Sequence, residues 1–501
     1  MRKSLLFSFA AVGAALTVAL PAVAAAAAPG VGPLSLASGP SPFAGCTGGL
    51  DPGSPPGTNY LNAEVEPFVA VDPASPSHLI GVFQQDRWSN GGARGLTTAV
   101  SPDGGSTWKE PAPPHFSTCA GGTAANGGAY DRSSDPWVSI GPDGRAYQVS
   151  LSVNAAQTIS AILASTSTDD GAAWSEPTTI QRDNSPDQFV FNDKESVTAD
   201  PQKAGTAYVV WDRSRFPSDS ANVNAAHSFA FRGDPMFSKT TDGGLTWSTP
   251  ARISPQNNNM FTIGNQIVVL PDGTLVDVFH YGKGSGLDQP NASLTGVARS
   301  ADGGLTWSKP IRISNNPVVN DVDPDTGVPL RTGADIGGGL PDIAVAPVSG
   351  ALYVVWEDSR FSGTHNDIAL SKSTDGGLTW SAPQKVNQTP SPVEAFTPMV
   401  DVLPDGTVAV TYYDIRNNTP APGLATDYFA AVSHDGGATW AESQITPTSF
   451  DDTTAPIARG YFLGDYQGLA NDGTAFKSLF VQTNSGDTSN RTDAFATTIT
   501  P

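Results

Sequence analysis

Cysteine, histidine and basic side chains are scarce in this chain of 501 residues. With two Cys and six His, no zinc-ligand spacing, Ser-His-Asp order or phosphate-binding loop stands out. Lys and Arg number 27 against 48 Asp and Glu, a formal net charge of −21. That balance argues against nucleic acid, because phosphate binding needs a basic face. It leaves room for an anionic small ligand, since a local arginine pocket overrides the net field. Beyond the first 28 residues no apolar run is long enough for a membrane-spanning helix. No coiled-coil pattern or other assembly signal is found, so a monomer is the default.

The chain opens with Arg2 and Lys3, then an apolar run from Leu5 to Leu20, then Ala22-Val23-Ala24 and Ala26-Ala27-Ala28. A charged start, a short apolar stretch and small residues make a secretory signal over residues 1–28, cleaved near residues 24–29. A secreted, extracellular protein is therefore expected. In that setting Cys46 and Cys119 read naturally as a disulfide; two unpaired thiols are the alternative.

Glycine and proline are abundant, at 52 and 42 residues, and they fall at regular turn positions. One eight-residue phrase recurs six times: SPDGGSTW (Ser101–Trp108), STDDGAAW (Ser167–Trp174), TTDGGLTW (Thr240–Trp247), SADGGLTW (Ser300–Trp307), STDGGLTW (Ser373–Trp380) and SHDGGATW (Ser433–Trp440). Such a period marks one supersecondary unit copied and packed on itself. Between the phrases stand pairs of short apolar runs joined by turns, such as QIVVLPDGTLVDVFHYG from Gln266 to Gly282. Runs rich in β-branched and aromatic residues, bounded by Pro-Asp-Gly, are strands. Counting them gives seven units, which predicts an all-β, seven-bladed β-propeller of four-stranded antiparallel blades; six blades is the alternative. Residues 66–501 form the propeller. Residues 29–65 form a tail, from which some stretch of Gly30–Asn62 supplies the outer strand that the last blade lacks.

The repeated phrase is a turn device. Its Asp accepts backbone hydrogen bonds, its glycines permit positive φ and its Trp seats the turn on the sheet. Catalysis by six equivalent aspartates would need six equivalent sites.

These phrases resemble the Asp-box, or BNR, repeat of bacterial sialidases and their relatives, and the resemblance spans essentially the whole chain after the signal. It implies a β-propeller, with glycan-active members that include six-bladed sialidases and seven-bladed xyloglucanases. A scaffold does not identify a reaction. Sialidases hold the substrate carboxylate with three arginines, use a Tyr–Glu pair as nucleophile and an Asp as acid/base. Their first arginine stands in a Phe/Tyr-Arg-Ile-Pro motif ahead of the first box. Here Val65-Glu66-Pro67-Phe68 stands in that place, with no arginine. Arg252-Ile253-Ser254-Pro255 follows the third box and belongs to an outer strand.

Strand alternation puts the boxes on one face and the longer loops on the other, where function gathers. Glu66, Asp135, Glu195, Asp342 and Asp465 precede or begin first strands and would crowd the channel mouth. Crowded carboxylates separate in pKa, as an acid/base pair for glycoside cleavage requires; a hydrated polar funnel is the plainer account. Second strands end in acidic-x-Arg phrases that carry Arg213, Arg360 and Arg416. These would either brace loops and blades or form a guanidinium ring for carboxylates and sugar hydroxyls. For sialidase-like chemistry, topology and residue type place Tyr461 or Tyr466 as nucleophile, Glu195 as its activator and Asp135 as acid/base. Arg213, Arg360, Arg416 and Arg459 would hold the substrate. A carbohydrate or glycoconjugate is the expected ligand. A non-catalytic glycan- or protein-binding propeller is the competing reading. No cofactor is required. The loop Asn320–Gly327 places Asp321, Asp323 and Asp325 at alternate positions before a glycine, which suits a structural Ca2+ or a solvated acidic turn.

Overall fold

The computed structural model describes residues 27–48, 57–185, 190–215, 232–255, 260–283, 293–320, 322–330 and 339–501. The expected signal, residues 1–28, falls almost wholly outside them.

Among the described residues, seven first strands pair antiparallel with the strand that follows each: Glu64–Asp72, Arg132–Ile140, Val190–Ala199, Met260–Val269, Asp342–Val345, Ala395–Val402 and Gly468–Asn471. Neighbouring first strands pack together in chain order, and the seventh packs on the first. All seven line one axial cavity of about 320 Å³. The protein is thus an all-β ring of antiparallel sheets, a β-propeller.

The second strand of each blade lies in the middle of its sheet, with a neighbouring blade over each face. That is why Leu352–Asp358 and Val408–Asp414 are buried along their whole length and read as continuous apolar runs. Trp211 and Trp356, each fully buried on such a strand, fill the space between blades. Truncating a side chain of this size costs about 3–5 kcal/mol.

The boxes close the turns after third strands. In the fourth box the Asp302 carboxylate accepts the Thr306 N–H at 2.9 Å and the Ser300 hydroxyl at 2.8 Å. Hydrogen bonds of this kind, chiefly from the box threonine, hold the carboxyls of Asp242, Asp302 and Asp375 down at about 2.

The last blade is completed from the other end of the chain. Gly30–Val31 and Ser35–Leu36 pair antiparallel with Thr492–Thr500, in the register Gly30↔Thr500 and Ser35↔Ala496. This covers an edge that would otherwise offer free N–H and C=O groups. A Cys46–Cys119 disulfide then ties the tail to the loop after the first box.

That disulfide closes a loop of 73 residues, worth roughly 4 kcal/mol by the chain-entropy account. The double variant Cys46→Ser/Cys119→Ser is expected to melt below the wild type, and added reductant should lower the wild type to the same temperature. Calorimetry with and without dithiothreitol checks this; identical melting of all four samples would refute it.

Candidate functional site

A backbone irregularity builds the site. In five blades the first strand slips register against the second: between Val65 and Phe68, Ser134 and Trp137, Asp193 and Ser196, Ile263 and Gln266, and Phe396 and Met399. Each slip contains a residue at positive φ: Glu66 (+52°), Asp135 (+53°), Lys194 (+49°), Gly264 (+72°) and Thr397 (+52°). Bulges of this kind re-aim side chains. In three of them a proline follows, Pro67, Pro136 and Pro398, where no ladder N–H is needed. Left-handed backbone costs a non-glycine residue about 1 kcal/mol or more, so four of the five positions are held there by their surroundings.

Three of the re-aimed side chains meet. The Lys194 Nζ lies 2.8 Å from Glu66 Oε1, 3.3 Å from Asp135 Oδ1 and 2.7 Å from Asp465 Oδ2. Glu66 and Asp135 are 1% and 3% exposed. The Gln84 side-chain amide donates to Glu66 Oε2 and to Ser134 Oγ. Ser134 Oγ donates to Asp135 Oδ1 at 3.0 Å, and Arg87 Nη1 donates to Gln84 Oε1 at 2.7 Å.

The carboxyls respond differently. Burial, opposed by Lys194 and reinforced by Asp135 and Asp465, pushes Glu66 up to about 8. Burial and the nearby Asp135 charge raise Asp193 to about 7. Burial also works against ionising Asp135, but the Lys194 ammonium and hydrogen bonds from Glu66 and Ser134 outweigh it and hold this carboxyl below its ordinary value. The three surrounding carboxylates overcome burial at Lys194 and keep it charged. Near neutrality the site therefore pairs a protonated Glu66 with an ionised Asp135.

These groups line a cavity of about 150 Å³ that also takes in Arg87 and Arg459. Arg87 is buried, its guanidinium stands 4.6 Å over the Phe462 ring, and its Nε has no hydrogen-bond partner among the described residues. Arg459 is exposed, sits at φ +66° and makes no ion pair among the described residues. The chain in effect offers two guanidinium groups above a carboxyl cluster.

Of the residues expected from the sequence, Glu66, Asp135, Asp465 and Arg459 come together here. Asp342 lies lower, in the axial cavity, where it accepts the Val400 N–H at 2.7 Å. Others are corrected. Tyr466 is 3% exposed and its hydroxyl donates to Pro136 O at 3.0 Å; burial and the surrounding carboxylates push its pKa well up, the opposite of what a nucleophile needs. Glu195 is 2% exposed and neither carboxyl oxygen has a hydrogen-bond partner among the described residues, the two tyrosines included, so it activates neither of them. Tyr461 points away from the cluster, with its hydroxyl 3.5 Å from Asp323 Oδ2.

The guanidinium ring is corrected too. Arg213 Nε donates to Asp183, on the outer strand of the preceding blade, at 2.9 Å. Arg360 is held by Asp358 at 2.8 Å, by Ser314 Oγ at 2.8 Å and by the Asn315 carbonyl. Arg416 is divided between Asp414, Glu442 and Thr389. All three are braces.

In the acidic loop, Asp323 Oδ1 accepts the Asp325 N–H at 2.9 Å, and Oδ2 accepts the Thr326 hydroxyl. Asp325 is exposed, and Asp321 lies outside the described residues. Asp323 and Asp325 join no group of three metal-ligating side chains among the described residues; Asp72, His78 and Asp170, at the box end, do form one. The residues that sequence reasoning left without a role are Lys194 and Arg87.

Residues 236–460 match the BNR repeat-like domain family. The chain carries the BNR, or Asp-box, repeat of the sialidase-like β-propellers. It is similar to a xyloglucanase of Paenibacillus sp, 28% identical over 248 residues that cover 49% of this chain and 21% of that protein. It is also similar to a sialidase of Micromonospora viridifaciens, 29% identical over 161 residues that cover 30% of this chain and 24% of the relative. The chain thus spans about a quarter or less of the length of these curated relatives. Among solved structures, a Hadza microbial sialidase aligns with a TM-score of 0.47 at 16% identity, covering 85% of this chain and 74% of that one.

In this BNR propeller Lys194 is the cation that lets three carboxyls share one mouth. Replacing Lys194 with Met is expected to cost about 3–5 kcal/mol, the usual loss when one partner of a buried ion pair is removed. Urea unfolding at pH 7 measures it. The deficit should shrink at pH 4, because Asp135 loses the ammonium that holds it ionised and in the variant takes up a proton instead of standing as an unpaired buried charge. A variant as stable as wild type at pH 7 would remove Lys194 from this role.

Proposed function

We propose that this protein is an exported, glycan-active propeller, a glycoside hydrolase of the sialidase-like kind, acting on a carbohydrate or glycoconjugate at the Lys194 mouth. One observation carries the reading: adjacent carboxyls, Glu66 and Asp135, are pushed in opposite directions, one up to about 8 and one below its ordinary value. That split is how paired carboxyls divide into acid and base. Glu66 would give its proton to the leaving sugar oxygen. Asp135 would face the reacting carbon or the water that attacks it. The exposed Arg459, unpaired among the described residues, supplies a forked donor for sugar hydroxyls or a carboxylate.

A sialidase and a xyloglucanase among the relatives support a glycan substrate. The Cys46–Cys119 disulfide and the charged–apolar–small N-terminal pattern support export, because disulfides persist in oxidising compartments. A second reading, a non-catalytic glycan-binding propeller, rests on Lys194 gripping three carboxyls while neither Tyr461 nor Tyr466 is placed to attack.

The test is a panel of aryl glycosides that includes a sialoside, run with and without calcium. Glu66→Gln and Asp135→Asn should each lower kcat by roughly 100-fold or more, the scale of general acid–base catalysis. Tyr466→Phe should stay within about tenfold of wild type, because its hydroxyl meets only a backbone carbonyl. The active form needs Glu66 protonated, so the rate should fall as pH rises through about 8. It needs Asp135 ionised, so an acid limb should lie below the ordinary carboxylate range. No turnover of any substrate, with glycan binding that Glu66→Gln weakens, would replace the hydrolase with the binding module. Full activity in Asp135→Asn would end the carboxyl-pair mechanism.

A further inference from the structure

A second cluster lies at the opposite end of the blades, at the joint between the first and second. Asp72 ends the strand Glu64–Asp72, and His78 lies early in Ser75–Arg87. Asp170 belongs to the second box, which nests on the first blade; a Cβ added at neighbouring Gly171 would touch Ile80 and Val100. One ligand atom from each of Asp72, His78 and Asp170 lies within 4.8 Å of the other two.

The repeats act as internal controls. At the position of Asp170 the other five boxes carry Gly104, Gly243, Gly303, Gly376 and Gly436, at φ between +68° and +76°. Asp170 keeps that left-handed backbone, at +62°, so a carboxylate stands where the turn favours glycine. Asp72 has its own control in Asp200, at the same turn of the third blade. Each takes a backbone N–H with Oδ1, from Ala74 at 2.8 Å and from Gln202 at 2.9 Å. The second oxygen of Asp200 is answered by the Tyr208 hydroxyl at 2.7 Å and the Lys203 ammonium at 3.2 Å. Asp72 is 5% exposed, and its Oδ2 accepts no hydrogen bond among the described residues. Its neighbours are a second carboxylate and an imidazole, and neither makes a hydrogen bond or ion pair there. A carboxylate oxygen that no protein donor answers, beside a second carboxylate and an imidazole, is placed to ligate a cation.

We propose that Asp72, His78 and Asp170 bind one divalent transition-metal ion of the zinc class and fasten the first blade to the second. An imidazole with two carboxylates suits a borderline metal that takes nitrogen and oxygen at about 2.0–2.2 Å. Calcium instead collects six to eight oxygens. Three protein ligands leave one position for water. The ion offsets two like charges that otherwise face each other. The site stands apart from the Lys194 mouth, so its fate is independent of the proposed hydrolase.

Untagged full-length protein, stripped with EDTA and dialysed, is titrated with zinc chloride by calorimetry and melted across the same series. Wild type should bind one zinc per chain, and its melting temperature should climb to a plateau; magnesium and calcium should leave it unmoved. Asp170→Gly restores the residue of the other five boxes, so it should fold normally, yet bind zinc at least tenfold more weakly and lose the melting shift. His78→Gln should do the same. Equal zinc affinity in wild type, Asp170→Gly and His78→Gln would overturn the proposal. So would the absence of zinc binding in wild type, or a calcium response that depends on the same residues.

Discussion

The meeting of the first and last blades is the constraint on which the rest depends. A blade touches only its neighbours, so an open row of seven would leave an unpaired edge and no common centre. The pocket shows the consequence. Its charged groups come from the first blade (Glu66), the second (Asp135), the third (Lys194) and the connector into the seventh (Asp465). Glu66 and Asp465 face each other across the joint itself: the Glu66 N–H donates to Leu463 O at 3.1 Å, and the Asp465 N–H donates to Glu66 Oε1 at 3.4 Å. The chain is so tight there that a Cβ on Gly464 would lie 2.7 Å from the Glu66 backbone nitrogen. Only glycine fits, at φ +135°. Before the ring closes there is no carboxyl cluster, only separate acidic residues in water.

Bringing carboxyls together under low exposure has to be offset by charge or by protons. The molecule uses both. Lys194 reaches three acidic groups with one ammonium, and Glu66 takes the proton that the ammonium cannot balance. A metal ion could meet the same demand, but a lysine on a bulge is tied to the sheet and moves only with it. The left-handed backbone at Lys194 is the local cost of aiming a long side chain at carboxyls of the two preceding blades.

The fold was legible because its signals are local and repeated: box, turn and apolar run sit within a few residues of each other and recur. The neighbourhood of the acidic residues was legible for a related reason. Residues just before a first strand must fall at the same end of the channel. Individual roles were not legible, because they are fixed by contacts distant in sequence. A bulge shifts the alternation by one residue, so Lys194 reaches the mouth with Glu66 and Asp135 while Glu195 lines only the pocket beside Trp137 and Tyr466. Arg360 does meet the local Asp358 of its own phrase, but the partner of Arg213 is Asp183, on an outer strand at a separation of 30 residues, and Arg360 also reaches Ser314 at 46, where no local pattern points to them. The Tyr466 hydroxyl is claimed by a carbonyl 330 residues earlier in the chain.

Repetition also separates scaffold from function. A device that every blade needs is written into most blades, and the Asp boxes, six in number, behave that way. The bulge does not. Its backbone recurs in five blades, but the residue it presents is Glu66, Asp135 and Lys194 in the first three, then Gly264 and Thr397. The ring supplies equivalent positions, and the sequence makes them unequal on one side of the axis. The three charged positions are neighbours in the ring and meet one another and Asp465, so the asymmetry gathers charge against blades one to three and the connector into blade seven.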